Sequence, residues 1–421
     1  MENEKNSVLI VTTTFPRYEN DFWANFLLNL VKNLSINVKV IAPHFPNGKK
    51  TDVLDNVKIE RFKYFFNNLE TLAYGDGIAI NIQKKKSLLF LVPFFFVSFL
   101  IKIIKEYRKS DIIHAQLAPA GLVSVIAGKF FRVKKPILTS FYGNDVVHCE
   151  KNKLLYNCLF KEGKLFFVLG EDMKNSLIKI GCKKEKIVIF PLGVNIEEFK
   201  VKRIYGNEIK FLIIGRFIEK KGIEYGIFAF NECYKKYKHI SMRIIGTGGL
   251  INKYNELLKE LKLENVIKIE DSSKFNKPRV ESIMAYKECD VFVLSSITAS
   301  NGDKEGTPVV LMEAQAAGMP CISTFHSDIP NVVLNGKTGF LSKEKDYLDM
   351  SKNMMKLIED KDLMIKMSKA AEMFIEENYN LKKQSKKLET YYSFFSKNIQ
   401  DGLNCDKKLS NEQGKNEIIL E

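Results

Sequence analysis

The sequence lacks the cysteine patterns of a zinc protein or of a disulfide-stapled one. It has no C-x-x-C pair and no cluster of cysteine with histidine, and its seven cysteines are scattered at positions 149, 158, 182, 233, 289, 321 and 405. Neither a structural zinc site nor a disulfide framework is indicated. A reducing compartment fits this usage best.

A secretion signal is missing as well. The opening MENEKNSVLIVTTTFP is acidic and then strand-like, without the basic segment and the apolar segment of a signal peptide. We therefore expect a cytoplasmic protein that is not exported.

No apolar run reaches the roughly 20 residues that a bilayer span requires. The nearest, Leu88 to Ile101 (LLFLVPFFFVSFLI), contains Pro93 and is followed by Lys102 and Lys105. One interpretation is a buried or half-buried crossover helix. The other is a basic-flanked helix on an anionic membrane surface, which would make the protein peripheral on the inner face of the membrane.

What the chain does contain is an ordinary globular composition. Its 421 residues are 45% hydrophobic and 27% charged, which predicts two or three domains that fold without covalent staples. The net charge is +15, of which residues 1–200 carry +11, from 30 Lys and Arg against 19 Asp and Glu. An anionic partner is favoured, mainly for the first half. A nucleic acid would satisfy the charge, but no RNA- or DNA-binding motif is recognisable.

Short β-branched runs alternate with longer amphipathic stretches, which predicts an α/β protein with parallel sheets and crossover helices. Twelve strands are predicted, at 8–13, 38–42, 57–62, 112–114, 137–141, 166–169, 187–190, 209–214, 242–245, 266–269, 291–294 and 321–323. Helices are predicted near 223–236, 250–262 and 308–317. The pattern gives two Rossmann-like domains, 1–200 and 201–380, followed by a helix at 381–398 and a frayed tail at 399–421.

The strongest chemical signal is SNGDKEGTPVVLMEAQAAGMP, residues 300–320, which follows a predicted strand. Gly306 frees the backbone, Thr307 can cap, and Pro308 suits the first position of a helix that continues from Val309. The unpaired N–H groups of that helix start attract anions and hydroxyls.

Two carboxylates bracket this turn, Glu305 just before the helix and Glu313 eight positions later. Carboxylates accept paired hydrogen bonds from vicinal hydroxyls, so the pair suits a hexose or a ribose while the helix start faces phosphate. A surface helix with incidental acids is the alternative. The D-x-D spelling at 360–362 imitates a metal site, but no strand precedes it and we predict no metal.

Two glycine turns follow other predicted strands. The turn GRFIEKKG at 215–222 places Arg216 and Lys221 at the carboxyl end of a strand, where open α/β sheets bind ligands. The turn IGTGG at 245–249 contributes Gly246 and Gly248. Surface cations are usually solvated, so the first turn alone is weak evidence. Together the two turns predict a diphosphate site.

On these residues the chain resembles the family four glycosyltransferases, nucleotide-sugar-dependent enzymes of the GT-B fold. Residues 305–313 match the family's E-x-x-x-x-x-x-x-E signature, and PLGVN at 191–195 with Phe199 is similar to its P-x-G-V-D-x-x-x-F. The insert ITASNGDK at 297–304 is similar to a subset that builds bacterial exopolysaccharides. The resemblance covers roughly residues 7–395. It implies two Rossmann-like domains that face each other across a cleft, with C-terminal helices returning toward the N-terminal domain.

The resemblance also implies roles for individual residues. In the family the first Glu, here Glu305, contacts donor-sugar hydroxyls near the developing positive charge, and the second, Glu313, holds the ribose. Arg216 and Lys221 grip the diphosphate, so the implied catalytic set is Glu305, Arg216 and Lys221. The other implied donor-binding residues are Gly215, Gly246, Gly248, Gly306, Thr307, Pro308 and Val309.

The resemblance places an acceptor-side loop at residues 13–21 (TTFPRYEND), which includes Phe15 and Asn20, with Asp21 as a helix N-cap. Many family members have two glycines in this loop. Asn20 tolerates a positive φ but adds a side chain, which predicts a smaller or reshaped acceptor pocket.

A second departure lies at FYGND, residues 141–145, where relatives often read F-H-G-x-D. Tyr142 replaces the histidine and Asp145 is kept. Tyr142 can still hydrogen-bond, and in retaining transfer the leaving phosphate is thought to accept the acceptor's proton. His114, at the end of a predicted strand, is another acceptor-side candidate or else a packed residue. A third departure, Asp328 and Asn331, replaces the family's Gly and Glu.

The function implied by the resemblance is retaining, metal-independent transfer of a hexose from a nucleotide sugar, with UDP as the expected nucleotide and no cofactor. The expected acceptor is a saccharide linked to lipid, in the synthesis of exopolysaccharide or capsule. Two alternatives stay open: a sugar-nucleotide epimerase or phosphorylase on a similar fold, and a non-catalytic nucleotide-sugar-binding protein.

Overall fold

A computed structural model describes residues 7–18, 21, 24–75 and 77–400, without the side chains of 144 and 398–400. The chain divides into two compact units. Unit 1 contains the residues up to Gly193 and those from Lys382 onward, and unit 2 contains Val194–Leu381. Each unit is built on one sheet of predominantly parallel strands with helices packed against it, so the predicted α/β class is confirmed.

The sheet of unit 1 has eight strands in the order β3-β4-β2-β1-β5-β6-β7-β8. Only β3, which pairs with β4, is antiparallel to its neighbour. The strands are β1 (Ser7–Thr12), β2 (Asn37–Pro43), β3 (Thr51–Leu54), β4 (Val57–Phe62), β5 (Ile112–Gln116), β6 (Ile137–Ser140), β7 (Leu165–Val168) and β8 (Ile187–Ile189).

Helices α1–α7 and α16 belong mainly to unit 1. They are α1 (Asn25–Lys32), α2 (Ile78–Lys84), α3 (Leu91–Glu106), α4 (Ala118–Gly128), α5 (Asn144–Lys151), α6 (Lys153–Glu162), α7 (Glu171–Lys179) and α16 (Leu381–Gln400). The core of the unit joins the sheet to α3, α4 and α6 through buried aromatic and aliphatic side chains.

The sheet of unit 2 has six parallel strands in the order β11-β10-β9-β12-β13-β14. They are β9 (Ile209–Ile214), β10 (Ile240–Gly246), β11 (Ile267–Asp271), β12 (Val291–Val293), β13 (Cys321–Thr324) and β14 (Gly339–Ser342). The helices are α8 (Ile196–Phe199), α9 (Ile223–Lys236), α10 (Ile251–Leu261), α11 (Pro278–Glu288), α12 (Val309–Ala316), α13 (Ile329–Val332), α14 (Tyr347–Glu359) and α15 (Lys361–Asn378).

All twelve predicted strands are present, with ends shifted by a few residues, but β3 and β14 were not predicted. β3 is a four-residue edge strand whose side chains are at least partly exposed, so it lacks a clear apolar face. β14 begins at Gly339, where a Cβ atom would lie 2.0 Å from the carbonyl oxygen of Cys321. This close approach of two strands requires glycine, a residue that ordinarily signals a turn.

The apolar run at 88–101 forms a helix with one buried face and one exposed face. A 3-10 turn at Lys86–Phe90 leads into α3, and Pro93 lies in the first turn of α3, where a missing N–H is tolerated. Leu91, Phe95, Phe99 and Ile103 are buried in unit 1. By length and composition alone, Lys86–Lys109 is long and apolar enough to cross a membrane, with a mean hydropathy of 2.4.

Asp21 and Asp360 both accept hydrogen bonds from backbone N–H groups. Asp21 as the N-cap of α1 is wrong: the N-cap is Ala24, and Asp21 instead accepts hydrogen bonds from the backbone N–H of Arg17 at 2.9 Å and from its Nε at 2.7 Å. The D-x-D spelling has a structural explanation. Asp360 is the N-cap of α15 and accepts a hydrogen bond from the backbone N–H of Leu363.

Candidate active site

Three loops meet at the carboxyl edge of the unit 2 sheet. They follow β9, β12 and β13, which are neighbours in the sheet, and Glu305 contacts the other two. Parallel strands end at the same edge, so this convergence follows from the strand order. The loops carry most of the predicted donor-side residues.

The loop after β9 is fastened to the loop after β12 by consecutive side chains. Glu219 accepts hydrogen bonds from the backbone N–H of Ser300 at 2.9 Å and from its hydroxyl at 2.8 Å. Lys220 donates to the carbonyl oxygen of Lys304 at 3.0 Å and forms an ion pair with Asp303 at 3.1 Å. The segment before Glu305 is therefore held against the loop after β9 at Ser300, Asp303 and Lys304.

Lys221 and Glu305 form a buried ion pair. Lys221 Nζ lies 3.0 Å from Glu305 Oε1, and the two side chains are only 10% and 9% exposed. The distance meets the ion-pair limit, although Oε1 lacks a well-directed hydrogen bond. Burial alone would raise the pKa of Glu305, but the charges of Lys221 and Lys220 hold it below its usual value. Glu305 is therefore an ionised carboxylate in a largely desolvated place.

His326 fixes the backbone at Glu305. The backbone N–H of Glu305 donates to His326 Nε2 at 3.0 Å, and His326 Nδ1 lies 2.6 Å from Glu344 Oε1. Because a backbone N–H can only donate, Nε2 is the acceptor and Nδ1 carries the hydrogen that Glu344 accepts. Glu344 also accepts from the backbone N–H of Thr298 at 2.9 Å. This partly buried chain of contacts links the loops after β12 and β13.

Arg216 lies in the same loop after β9 as Lys221 but is not part of the ion pair. It follows Gly215 at the end of β9, is exposed, and its guanidinium makes no hydrogen bond or ion pair within the part of the chain that the structure describes. An open guanidinium at a carboxyl edge can bind an incoming phosphate by paired hydrogen bonds.

The predicted glycines of the 245–249 turn touch the Arg216 loop directly. A Cβ atom on Gly246 would lie 1.9 Å from the carbonyl oxygen of Gly215, and one on Gly248, with φ +150°, would lie 2.6 Å from that of Phe217. The backbone N–H of Phe217 donates to Thr247 at 2.8 Å. These glycines are therefore required for packing, and their contact with a nucleotide stays a prediction.

Glu313 belongs to a second, adjoining cluster on α12. Its Oε1 accepts from Arg279 Nη1 at 2.5 Å and its Oε2 accepts from the Tyr286 hydroxyl at 3.0 Å. Arg279 Nη2 also lies 2.9 Å from Glu198 Oε2. Burial and the neighbouring Glu313 raise the pKa of Tyr286, so its phenol stays neutral and donates. The structure brings Lys221 and Glu305 together, whereas Glu313 hydrogen-bonds to Arg279 and Tyr286.

The start of α12 differs slightly from the prediction. The helix begins at Val309 with Pro308 as the N-cap, and no side chain caps it. Thr307 as the cap and Pro308 as the first helical residue are therefore wrong, because the chain turns one residue later. Gly306, Thr307 and Pro308 form the approach to the helix, immediately after Glu305, so the first N–H groups of α12 are close in sequence to the carboxylate.

The acceptor-side candidates in unit 1 make internal contacts. Asp145 Oδ1 accepts from the backbone N–H groups of Tyr142 at 2.9 Å and Gly143 at 3.0 Å, and its Oδ2 accepts from that of Ala118 at 3.3 Å. Burial raises the pKa of Asp145 to about 6, against the effect of these backbone bonds. The Tyr142 hydroxyl donates to Gln116. Both side chains thus brace the loops at the ends of β5 and β6.

His114 is packed in the interior of unit 1. Its Nε2 lies 2.8 Å from Ser140 Oγ and its Nδ1 lies 2.6 Å from the hydroxyl of Tyr392 on α16. Burial lowers its pKa to about 3, so the imidazole is neutral near pH 7. Phe15 is fully buried. Asn20 lies outside the described residues.

A groove elsewhere in unit 2 does not contain the predicted residues. Within the described ranges, no three His, Cys, Asp or Glu side chains group to hold a metal ion. A groove of about 1010 Å³ lies beside β10, β11 and α10, but it contains none of the predicted residues. Several of its charged side chains are paired, as Arg243 is with Glu270 and Glu288. We therefore place the candidate site at Glu305.

Four contributors to the site were not predicted from sequence. Arg279, Tyr286 and Glu344 lie in segments without a motif and reach the site only through the fold. His326 lies in the segment FHSDIPN, in which the departures from the family pattern are Asp328 and Asn331. Those two residues hydrogen-bond each other at 3.3 Å beside α13. For His326, the sequence signal that could have indicated a role is a single histidine just after a predicted strand.

Two family models match consecutive parts of the chain. The model described as Glycosyltransferase Family 4 matches residues 24–198, and the model described as Glycosyl transferases group 1 matches residues 194–374. The predicted resemblance to the family four glycosyltransferases is thereby confirmed in both parts of the chain. The prediction that this glycosyltransferase has the GT-B fold, with two parallel-sheet domains, is also confirmed.

The relatives include enzymes named for exopolysaccharide synthesis. The glycosyltransferase WcaL of Escherichia coli, named for colanic acid biosynthesis, is 29% identical over 65% of this chain and 68% of its own length. An Escherichia coli protein named UDP-Gal:alpha-D-GlcNAc-diphosphoundecaprenol alpha-1,3-galactosyltransferase is 26% identical over 86% of this chain and 90% of its own. The chain spans 59% to 68% of the length of the colanic acid and amylovoran relatives.

A solved structure shows the same fold. Anabaena Alr3699/HepE, crystallised in complex with UDP, has a TM-score of 0.71 and 16% sequence identity, and the match covers 92% of this chain and 99% of that one. At this identity the likeness concerns the fold alone.

Proposed function

We propose that this glycosyltransferase moves a hexose from a UDP-sugar to a lipid-linked saccharide, with retention of the anomeric configuration and without a metal ion. The observation that carries the proposal is the buried Lys221–Glu305 pair, whose lysine shares the loop after β9 with the exposed Arg216. The synthesis of a cell-surface polysaccharide would be its context, in the cytoplasm and at the membrane's inner face.

The proposed step breaks the bond between the anomeric carbon and the diphosphate oxygen. The acceptor hydroxyl oxygen forms its bond to the same face of that carbon, and its proton passes to the departing diphosphate. Arg216, Lys221 and the start of α12 neutralise the charge that grows on the diphosphate, and the Glu305 carboxylate stabilises positive charge on the sugar. Each of these interactions becomes stronger as the transition state is approached. Interactions that are stronger in the transition state than in the ground state accelerate the reaction.

The two clusters suit the two parts of a nucleotide sugar. Glu313 uses both oxygens on Arg279 and Tyr286, yet a carboxylate has about four acceptor positions and can still accept ribose hydroxyls. The UDP-sugar and lipid-linked acceptor are further supported by two proteins of similar sequence or fold. One is named for UDP-Gal and a diphosphoundecaprenol acceptor, and the other was crystallised with UDP.

A panel of UDP-, GDP- and ADP-sugars tests the donor. Binding to the folded protein raises the melting temperature, by an amount that grows with affinity, and we expect a shift with UDP-sugars only. Transfer to a diphospholipid-linked saccharide should give a product with the donor's anomeric configuration by NMR, at a rate that EDTA does not change. Inversion, or a rate lost in EDTA and restored by a divalent cation, would contradict the proposed mechanism.

Variants test the site. Glu305→Gln preserves shape and removes the charge, and should lower kcat about 100-fold or more while UDP still raises the melting temperature. Glu260→Gln, on the exposed side of α10, is the matched control and should leave kcat unchanged. Full activity of Glu305→Gln would remove the proposal. Donor binding by the wild type without any transfer or epimerisation would instead favour the non-catalytic sugar-nucleotide-binding protein.

A further inference from the structure

The most unusual surface of unit 1 is the outer face of α3. Opposite the buried Phe95 and Phe99, four apolar side chains follow one another at helical spacing and are exposed by 63% at Phe90, 43% at Phe94, 55% at Val97 and 47% at Ile101. A surface helix normally presents charged and polar residues to water. Here the helix is apolar on both sides, and only one side is covered by unit 1.

A neighbouring loop extends this face. Phe66 is 74% exposed, and its ring lies 5.0 Å from that of Phe65, measured between centroids. Phe65 in turn lies 6.0 Å from Phe90 and 5.4 Å from Phe94. We call Phe66, Phe90, Phe94, Val97 and Ile101 the apolar platform. Exposed aromatic rings in contact with each other indicate a surface that binds something apolar.

Positive charge flanks the apolar platform at both ends. Lys63, Lys85 and Lys86 are exposed beside its start, and Lys105 continues the exposed stripe of α3 four residues after Ile101. Between Lys63 and Lys105 the sequence contains only two acidic residues. Of these, Glu70 is buried and lies against His44, while Asp76 is outside the described residues. The rim of the platform is therefore basic.

This combination points to one occupant. We propose that the apolar platform inserts into the headgroup region of an anionic phospholipid bilayer while the flanking lysines contact lipid phosphates. A second copy of the chain would bring like-charged rims together, which disfavours a symmetric contact. The inference rests on the proposed function in one respect, since a lipid-linked acceptor has to be met at a membrane surface.

The packing of α3 argues that it lies on the membrane instead of crossing it. Phe95, Phe99 and Ile103 are fully buried in unit 1, and Lys102 forms an ion pair with Glu60. A spanning helix would have to leave the sheet, exposing those side chains and breaking that pair. With one face kept on the sheet, only the opposite face is available to lipid.

Vesicle flotation with the full-length protein tests the inference. We expect binding to vesicles of equal parts phosphatidylcholine and phosphatidylglycerol, and at least tenfold weaker binding to phosphatidylcholine alone. The neutral variant Phe90→Asn/Phe94→Asn should lose about tenfold or more of the anionic-vesicle affinity. Lys85→Gln/Lys86→Gln should lose several-fold and reduce the dependence on salt. The controls are Met373→Asn, which changes a residue 64% exposed in unit 2, and Lys366→Gln/Lys369→Gln on the same helix α15.

The readouts separate this inference from the proposed function. The melting-temperature shift caused by UDP and the transfer to a water-soluble acceptor should not change in the platform variants, whereas transfer to a lipid-linked acceptor in vesicles should fall. Equal binding by platform and control variants would overturn the inference even if transfer is confirmed. So would a wild-type dimer that Phe90→Asn/Phe94→Asn converts to a monomer. Platform-dependent binding to vesicles without any transfer would overturn only the proposed function.

Discussion

The two units use the polar residues at their strand ends differently. In unit 1, Asp145 accepts three backbone hydrogen bonds and His114 is neutral between Ser140 and Tyr392. In unit 2, Lys221 and Glu305 remain charged and Arg216 remains open. The first arrangement holds loops in place, and the second keeps charge available for a ligand. Substitutions should therefore affect mainly stability in unit 1 and mainly chemistry at Lys221, Glu305 and Arg216 in unit 2.

The largest effect should come from a glycine that holds the charged loops of unit 2. In Gly246→Ala the new methyl group would lie 1.9 Å from a backbone oxygen, which no side-chain rotation can relieve. We expect a loss of more than about 4 kcal/mol in the free energy of unfolding, or no folded protein, because a backbone clash is among the costly mutational mechanisms. Urea denaturation measures it.

Gly249→Ala is the matched control for that substitution. It changes the same turn, where a Cβ atom would meet nothing within 4 Å. Its unfolding curve should overlay that of the wild type. If Gly246→Ala also did so, the close packing of the Gly215 and Gly246 turns would be wrong, and with it the support for Arg216.

The buried ion pair should give the next largest effect. Lys221→Met leaves the Glu305 carboxylate buried with less compensation, which should cost about 3 kcal/mol of unfolding free energy. The double variant Lys221→Met/Glu305→Gln should recover much of this loss, because no unpaired charge remains, yet it should stay inactive. The exposed pair Lys134–Glu162 in unit 1 provides the control, and Lys134→Met should cost less than about 1 kcal/mol. Equal losses at the two pairs would contradict the burial of the first.

The features that were predictable from the sequence are local ones. The β9 strand, its glycine turn and the cations within it are contiguous, and so are Glu305 and the start of α12. Alternating apolar runs identified twelve of the fourteen strands for the same reason. Each of these features depends on neighbours a few residues away, which a sequence displays directly.

Contacts between residues that the strand order brings together were not predictable from the sequence. Arg279 meets Glu313 across 34 positions, and His326 meets the backbone of Glu305 across 21. Asp145 was assigned to the acceptor side because a family motif contains it, but the motif does not show that both oxygens are used by backbone N–H groups. A residue that matches a family motif can have a purely structural role. Only its three-dimensional contacts distinguish that role from binding of the acceptor.

The pH dependence of stability should distinguish the interior of unit 1. Burial lowers the pKa of His114 from 6.5 to about 3. Between these two pH values the imidazole is therefore protonated in the unfolded chain and neutral in the folded one. Above pH 6.5 the imidazole is neutral in both states, and His114 does not reduce stability. Below pH 6.5 the free energy of unfolding falls by about 1.4 kcal/mol per pH unit, which amounts to about 2 kcal/mol at pH 5. His114→Gln should remove that loss, as measured by urea unfolding at pH 7 and pH 5.

The titration of Asp145 changes the pH dependence of stability in the opposite direction from that of His114, so the two effects have to be separated. Its raised pKa, about 6 against 3.8, makes the folded state bind a proton more readily, so its destabilising effect grows as the pH rises from 3.8 to 6. Because both chains carry Asp145, the difference between the wild type and His114→Gln isolates the histidine. Tyr392→Phe, which removes a partner but keeps the imidazole, should retain the wild-type pH dependence. Parallel curves for the wild type and His114→Gln would show that His114 is not buried as described.

The smallest effect should concern a residue that acts on chemistry without touching the donor. His326 is a positioning residue, because its Nε2 holds the backbone N–H of Glu305 while Glu344 orients its ring. His326→Phe keeps a planar ring but releases that N–H, so kcat should fall about tenfold, which corresponds to roughly 1.4 kcal/mol. The melting-temperature shift with a UDP-sugar should stay as in the wild type, since Arg216, Lys221 and Glu313 are unchanged. His326→Gln, which keeps a hydrogen-bond acceptor, should restore part of the rate. If His326 had a purely structural role, both variants would show a smaller donor-induced shift in melting temperature, and kcat at saturating donor would not change.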